Sequence, residues 1–443
     1  MAETLIKGGM VLTMQDGAFA PQRLDIRLID GVIRDLGPDL TPHGHVVLAE
    51  GCLVTPGLVN THHHLFQTLT RAVPEGQDAR LFGWLRALYP IWARFTPDHV
   101  FVSAQLGLAE LALSGCSTSS DHLYLYPNGV RLEDTIHAAA QLGVRFHPTR
   151  GAMSIGESAG GLPPDSLVEV ESAILDDTIR VIDRFHDAAP GSMCRVGVAP
   201  CSPFSVSPYL MRDAANLARE KGVRLHTHLA ENVEDIDYSE ETFGCRPGQY
   251  AQDLGWTGED VWHAHCVKLD GAEIDLFART QTGVAHCPNS NCRLGSGIAP
   301  LRQMLDAKVP VGLGVDGSAS NDMASLVAEA RQAMLLQRVV HGADAMSGFE
   351  ALRVATRGGA QVLGRDDIGQ IAPGFRADVA VWDMRGLDSI GTWDAGALLL
   401  AGPRRVRDLF VEGRTVVSNG HVVTVDLPRL IERAERLLAD LMA

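Results

Sequence analysis

Gly57-Leu58-Val59-Asn60-Thr61-His62-His63-His64 is the stretch whose reading decides the fold. A short apolar strand runs directly into three histidines. In extended backbone, residues i and i+2 point to the same side. His62 and His64 are therefore expected to face one way together, with His63 turned away. The same texture recurs further along. His226-Thr227-His228-Leu229-Ala230-Glu231 ends one apolar run, His263-Ala264-His265-Cys266 ends another, and Val311 to Asp316 ends a third.

Working outward, eight segments read as strands. They are Gly57 to His62, Cys116 to Asp121, Val144 to Thr149, Val196 to Cys201, Arg224 to His228, Asp260 to His265, Gly283 to His286 and Val311 to Asp316. Helical patterns lie between them, among them Asp98 to Ser114 and Pro208 to Lys221, the latter followed by Gly222 as a stop signal. Eight strand–helix units define an α/β fold, a (β/α)8 TIM-type barrel. An open doubly wound sheet is the alternative. Only a closed barrel gives the polar strand ends a reason to coincide, because its C-terminal strand ends surround one mouth.

Both flanks are β-rich. Turns at Asp16-Gly17 and Asp30-Gly31 break the N-terminal segment into short strands. Ala377 to Trp382 reads as a strand, and Val406 to Val411 with Arg414 to Val417 as a hairpin. A small β-sandwich built from both chain ends is expected. The expected division is 1–56, the barrel 57–368, and 369–443, the last ending in a helix from Leu427 to Ala443.

With 443 residues, 46% of them hydrophobic, the chain can bury a large core. Its formal net charge of -16 disfavours nucleic acid or an anionic membrane as partner. The 8 cysteines are scattered without a CxxC pair, which points to reduced thiols rather than a disulfide framework. Met1 to Lys7 lacks the apolar run of a signal peptide, and no stretch is long and apolar enough to span a bilayer. A cytoplasmic protein is the expectation.

A lone histidine is usually a packed core or surface residue. Four strand ends carrying His or Asp at one predicted mouth are a different matter. Imidazole and carboxylate suit one divalent cation: Zn2+ first, with Fe2+ or Mn2+ also compatible. Here the chain resembles the mononuclear deaminases of the amidohydrolase superfamily. The matching runs are Thr55 to His64, His228-Leu229-Ala230-Glu231, His265-Cys266, Val315 to Asn321, and the tail Gly358 to Trp382 with Pro373-Gly374 and Ala377-Asp378. The resemblance implies His62, His64, His228 and Asp316 as metal ligands, with Glu231, His265 and Asp316 as catalytic groups.

His226 and His263 share the inward parity of their strands but lie one layer deeper. They read as buried, hydrogen-bonded histidines, while His122 and His286 stay open. Binuclear members of the superfamily bridge two metals with a modified lysine on a middle strand. The only lysines are Lys7, Lys221, Lys268 and Lys308, none on the third or fourth strand, so such a bridge is not expected. Cysteine catalysis is disfavoured because His265 and Cys266 are adjacent and point apart.

The chemistry implied is hydrolytic. A bound divalent ion lowers the pKa of water from about 15.7 to roughly 7, giving a nucleophile for a ring carbon that bears an amino group. Glu231 would carry a proton to the ring, Asp316 would take one from the water, and His265 would orient it. Local runs, including His64 to Arg71, Ser119 to Tyr124 and Ser290 to Gly297, resemble 8-oxoguanine and isocytosine deaminases, and hydroxy-s-triazine aminohydrolases share much of the pattern. A small heterocycle is thus the expected substrate. Gln67, Tyr124 and Arg150 are the candidate substrate-binding residues, Gln67 because an amide reads alternating donors and acceptors. The apolar segment Trp84 to Trp92 is expected at the pocket wall or a subunit contact, and Gly151 to Asp165 over the mouth.

Four other readings compete: a triazine hydrolase removing amino, alkylamino or halogen substituents, a non-enzymatic barrel, a Cys/His zinc deaminase of nucleic acids, and another nucleobase deaminase such as a guanine or cytosine deaminase. The second predicts a damaged ligand set, and the third needs HxE and PCxxC spacings that are absent. The resemblance also implies a homo-oligomer.

Overall fold

The computed structural model describes residues 3–402 and 404–442. Eight parallel strands close into a barrel: β1 (Leu58–Asn60), β2 (Cys116–Leu123), β3 (Arg145–Ala152), β4 (Gly197–Pro200), β5 (Leu225–Leu229), β6 (Val261–His265), β7 (Gly283–His286) and β8 (Val311–Leu313). Each pairs with its neighbours in chain order, and β8 returns to β1 through Leu313 and Asn60. All eight overlap the segments read from the sequence, with ends shifted by a few residues. Helices such as Pro97–Leu113 and Pro208–Lys221 fill the connections. The second is capped by the Ser207 hydroxyl, which accepts from the Leu210 amide, and it stops at Gly222 with φ +66°.

The chain ends join one nine-stranded sheet outside the barrel. Its N-terminal half holds Glu3–Val11, Gln22–Ile29, Val32–Gly37, His45–Leu48 and Cys52–Pro56; its C-terminal half holds Val379–Asp383, Asp408–Val411, Arg414–Ser418 and His421–Val422. The halves meet where Cys52–Pro56 pairs antiparallel with Val379–Asp383. This sheet has its own core, including Ile6, Ile26, Ile33, Val54, Val381 and Phe410. The C-terminal helix, Leu427–Met442, buries Leu430, Ala434 and Leu441. Ala443, the last residue of the helix read from the sequence, lies outside the described residues. Among the described residues no helix is long and apolar enough to cross a membrane. All eight cysteines are free thiols, five of them buried.

Two features fix the barrel relative to the sheet. Gly57 is the single residue between Pro56 of the sheet and Leu58 of β1, and a β-carbon there would collide with the Ser117 side chain. Below it, the buried Asp378 accepts from Nε and Nη2 of Arg145 at 3.1 Å each and from the Glu412 amide at 2.8 Å. Arg145 belongs to β3 and also donates to the carbonyls of Gly191 and Ser192. Arg145 also pairs with Glu412 Oε2 at 2.7 Å, so loss of Asp378 leaves the buried guanidinium with one of its two carboxylates. We expect Asp378→Ala to cost about 3 kcal/mol, read as a lower denaturant midpoint with an unchanged slope. A midpoint equal to the wild type would rule out this anchor.

Candidate metal centre and catalytic pocket

The C-terminal mouth of the barrel gathers the histidines. His62 and His64 follow β1, His228 lies in β5, His265 ends β6 and Asp316 follows β8. One donor atom from each of His62, His64, His122 and His228 fits within 4.8 Å of the others, and likewise for His62, His265 and Asp316. Asp316 Oδ1 lies 3.3 Å from Nε2 of both His62 and His64, and His64 Nε2 lies 3.1 Å from His228 Nε2.

Hydrogen bonds on the far side of each ring settle where the protons are. A carbonyl oxygen only accepts, so the imidazole nitrogen facing it must carry the hydrogen. His64 Nδ1 donates to the His122 carbonyl at 2.7 Å, and His228 Nδ1 to the Cys201 carbonyl at 2.5 Å. His226 Nδ1 donates to the Trp262 carbonyl at 3.0 Å, which leaves its Nε2 as an acceptor. That acceptor takes the proton of His62 Nδ1 at 2.8 Å. Nε2 of His62, His64 and His228 thus all present lone pairs inward. Burial lowers the pKa of all three and holds them neutral, His228 at about 3. Three lone pairs and a carboxylate at these separations fit one divalent cation.

The supporting shell is equally specific. Ser290 and Ser320 hydroxyls donate to Asp316 Oδ2 at 2.6 and 2.9 Å, which leaves Oδ1 turned to the imidazoles. His265 Nδ1 meets Asn291 Oδ1 at 2.9 Å, and its Nε2 lies 3.6 Å from Glu231 Oε2. Burial opposes charge on His265, but Glu231 and Asp316 outweigh it and raise its pKa. Burial pushes Glu231 up to about 7. Asn289 and Asn321 face away from the cavity and donate to the buried Glu329.

A small cavity of about 40 Å³ opens onto these groups. Leu81, Trp84, Leu85 and Tyr89 of the helix Leu81–Trp92 wall one side, with Tyr124 and Phe204 on others. Gln67 lines it with both amide atoms buried and without a hydrogen-bond partner among the described residues. Gly317 lacks a β-carbon where one would strike that amide.

Two expectations fail. Arg150 is not brought to the pocket. Its side chain leaves β3 toward the outer helices, where it pairs with Glu169 and Asp177 at 2.8 Å each and lies over the Tyr126 ring. Alternation along β3 is the reason, since the neighbours at 149 and 151 take the inner face. His263 also points outward, donating from Nε2 to the Trp256 carbonyl at 2.9 Å and stacking on Phe277. Its partner in the parity argument, His265, reaches the mouth because its backbone turns left-handed, with φ +71°. Ala230 and Asp316 do the same at +51° and +60°. The Gly151 to Asp165 connection supplies none of the cavity-lining side chains. His122, left open by the sequence, stacks beside His228 at 5.0 Å between ring centroids. The positioning roles of His226, Ser290, Ser320 and Asn291 were missed; the last three lie in runs that carried the resemblance.

A closed parallel barrel with a histidine-rich C-terminal rim defines a metal-site hydrolase fold. The chain belongs to the amidohydrolase family, whose model matches residues 53–416. It is 45% identical to the 8-oxoguanine deaminase of Pseudomonas aeruginosa over 394 residues, 88% of each chain. It is 36% identical to the hydroxydechloroatrazine ethylaminohydrolase of Pseudomonas sp. strain ADP, covering 97% of this chain and 92% of that one. The atrazine chlorohydrolase of Arthrobacter aurescens TC1, solved complexed with zinc, superposes with a TM-score of 0.94 at 33% identity, covering 98% of this chain and 100% of that one.

His226 is the link that sets the tautomer of His62. We expect His226→Phe to weaken zinc binding by about 10- to 100-fold, measured by competition with a chromophoric chelator at unchanged far-UV circular dichroism. Equal affinity would show that the His62 tautomer is set elsewhere.

Proposed function

We propose that the protein hydrolyses the exocyclic C–N bond of a free oxo-aminoheterocycle of the 8-oxoguanine or isocytosine type, releasing ammonia. The observation that carries this reading is the convergence of three unprotonated imidazole nitrogens and the Asp316 carboxylate beneath a narrow, aromatic-walled cavity. His62, His64, His228 and Asp316 would hold the ion, with zinc as the favoured metal. When bound, a divalent cation supplies acidified water, with a pKa near 7 rather than about 15.7.

The remaining work falls to the chain's own groups. Asp316 has one oxygen tied to two serines and the other free, so Oδ1 is placed to accept a proton from attacking water. Glu231, pushed up to about 7 by burial, holds a proton near neutrality and can pass it to the ring nitrogen. Asp316 then passes the proton it took from the water to the exocyclic amino group, which leaves as ammonia as the C–N bond breaks, while the ring nitrogen keeps the proton from Glu231 and the added oxygen, its remaining proton returned to Glu231, becomes the ring carbonyl. His265 stands near both carboxylates, its Nε2 3.6 Å from Glu231 Oε2. Gln67 offers one donor and one acceptor to the ring edge, and Tyr124 bounds the plane. The small cavity favours a base without its sugar. A triazine substrate is the second reading, supported by the likeness to the ethylaminohydrolase. The same reading divides the chain at 1–56, 57–368 and 369–443, and assigns it to the cytoplasm as a homo-oligomer.

Ammonia release should be measured across 8-oxoguanine, isocytosine, guanine, cytosine and hydroxy-aminotriazines with zinc-loaded protein. One of the first two should give the highest kcat/KM. A triazine ahead of both would transfer the assignment to the second reading, and no release from any ring would end it. Glu231→Gln should retain the metal and lose about 10²- to 10⁴-fold in kcat. Near-normal turnover would remove Glu231 from the chemistry.

A further inference from the structure

The opposite, N-terminal end of the barrel holds a second and larger cavity, about 550 Å³, within the range of small-molecule sites. It lies far from the catalytic rim along the strands. His147 of β3, Gly197 of β4, Trp262 of β6 and Gly283 of β7 line it, with Arg195 and Arg224 from the segments leading into β4 and β5. Part of its wall is Gln361–Val362 in a short helical segment that packs close because Gly312 and Gly359 meet without side chains.

Its electrostatics are unusual for a chain of net charge -16. Among the described residues Arg195 donates only to neutral oxygens: Ser192 Oγ and the carbonyls of Gly364, Ala188 and Ala189. Arg224 makes one side-chain hydrogen bond, from Nη2 to the Val362 carbonyl at 2.8 Å. Its Nε is buried without a partner among the described residues, and so is His147 Nε2. A guanidinium carries five N–H donors, so Arg224 is far from satisfied. Two acidic groups face the same cavity. Asp260 is engaged by Arg219 at 3.0 Å, and Glu259 is exposed at the rim. The nearby Arg365 is already paired with Asp367. Burial lowers the Arg224 pKa to about 10, so the guanidinium remains charged at neutral pH.

We propose that this cavity is a binding site for a phosphate-type anion, held by Arg195, Arg224 and His147. Those donors come from three different strand ends. Two guanidinium groups and an imidazole offer more donors than one carboxylate accepts, and a phosphoryl group has the oxygens to take them. The volume exceeds what inorganic phosphate fills, so the anion is either free phosphate or the phosphoryl end of a small metabolite. Trp262 joins this cavity to the catalytic rim, because its ring stacks on His226 at 4.4 Å between centroids.

Isothermal titration of the zinc-loaded protein with inorganic phosphate and with GMP, at constant ionic strength held by chloride, tests the proposal. Saturable one-to-one binding of either probe is expected. GMP binding at least tenfold tighter identifies the phosphoryl end of a metabolite; equal affinities identify free phosphate. Arg224→Met and Arg195→Met should each weaken binding at least tenfold while ammonia release stays at the wild-type level. Absence of saturable binding by both probes at millimolar concentration overturns the site, and this result needs no variant to fold. Wild-type affinity in both folded variants overturns it as well.

Discussion

Like partial charges brought within hydrogen-bond distance repel unless positive charge lies between them. In this barrel three imidazole lone pairs and a carboxylate oxygen are forced to face one another at 3.1 to 3.3 Å. Burial removes the water that would otherwise solvate them. The carbonyls of His122, Cys201 and Trp262 remove the freedom to place a proton between them instead. The centre is therefore preorganised for a cation by backbone groups that never approach it. Strand register, the closure of β8 on β1 and the serines around Asp316 all serve that one arrangement.

Much of this was legible in the chain. Period-two alternation and turn residues located all eight barrel strands, and the split sheet followed from β texture at both ends. His62, His64, His228, Glu231, His265 and Asp316 meet as expected from their places at strand ends. Gln67 and Tyr124 line the cavity with them. What escaped was whatever depends on a local departure from regular backbone. His265 and Asp316 reach the mouth through positive φ angles, and strand parity cannot foresee such a turn. The same parity rule placed His263 inside, where Trp262 lies instead. Arg150 looked like a site residue because it sits at a strand end, yet its alternation sends it to Glu169 and Asp177. Ser290, Ser320 and Asn291 gave no signal of their own, since a serine or asparagine in a loop has many ordinary uses.

The two ends of the barrel use their charged groups in opposite ways. At the catalytic rim, acceptors outnumber donors and call for a cation. At the other end, Arg195 and Arg224 stand beside the unpartnered His147 Nε2, a setting for an anion. Between them lies a packed column in which Trp262 touches His226 and His226 touches His62. These three rings link the two ends, with aliphatic residues such as Val59 and Ala285 clustered about Trp262.

The antiparallel pairing of Cys52–Pro56 with Val379–Asp383 has a consequence during synthesis. The strand that launches β1 pairs on one side with Glu3–Val11, but finds its second neighbour only after more than three hundred further residues have emerged from the ribosome. Until then the nascent chain displays an open hydrogen-bonding edge beside an unsealed barrel, the kind of exposure that invites wrong partners. Closure cannot proceed strictly from the amino end. The molecule matures late, as a clasp whose two halves are separated in the chain by the whole barrel.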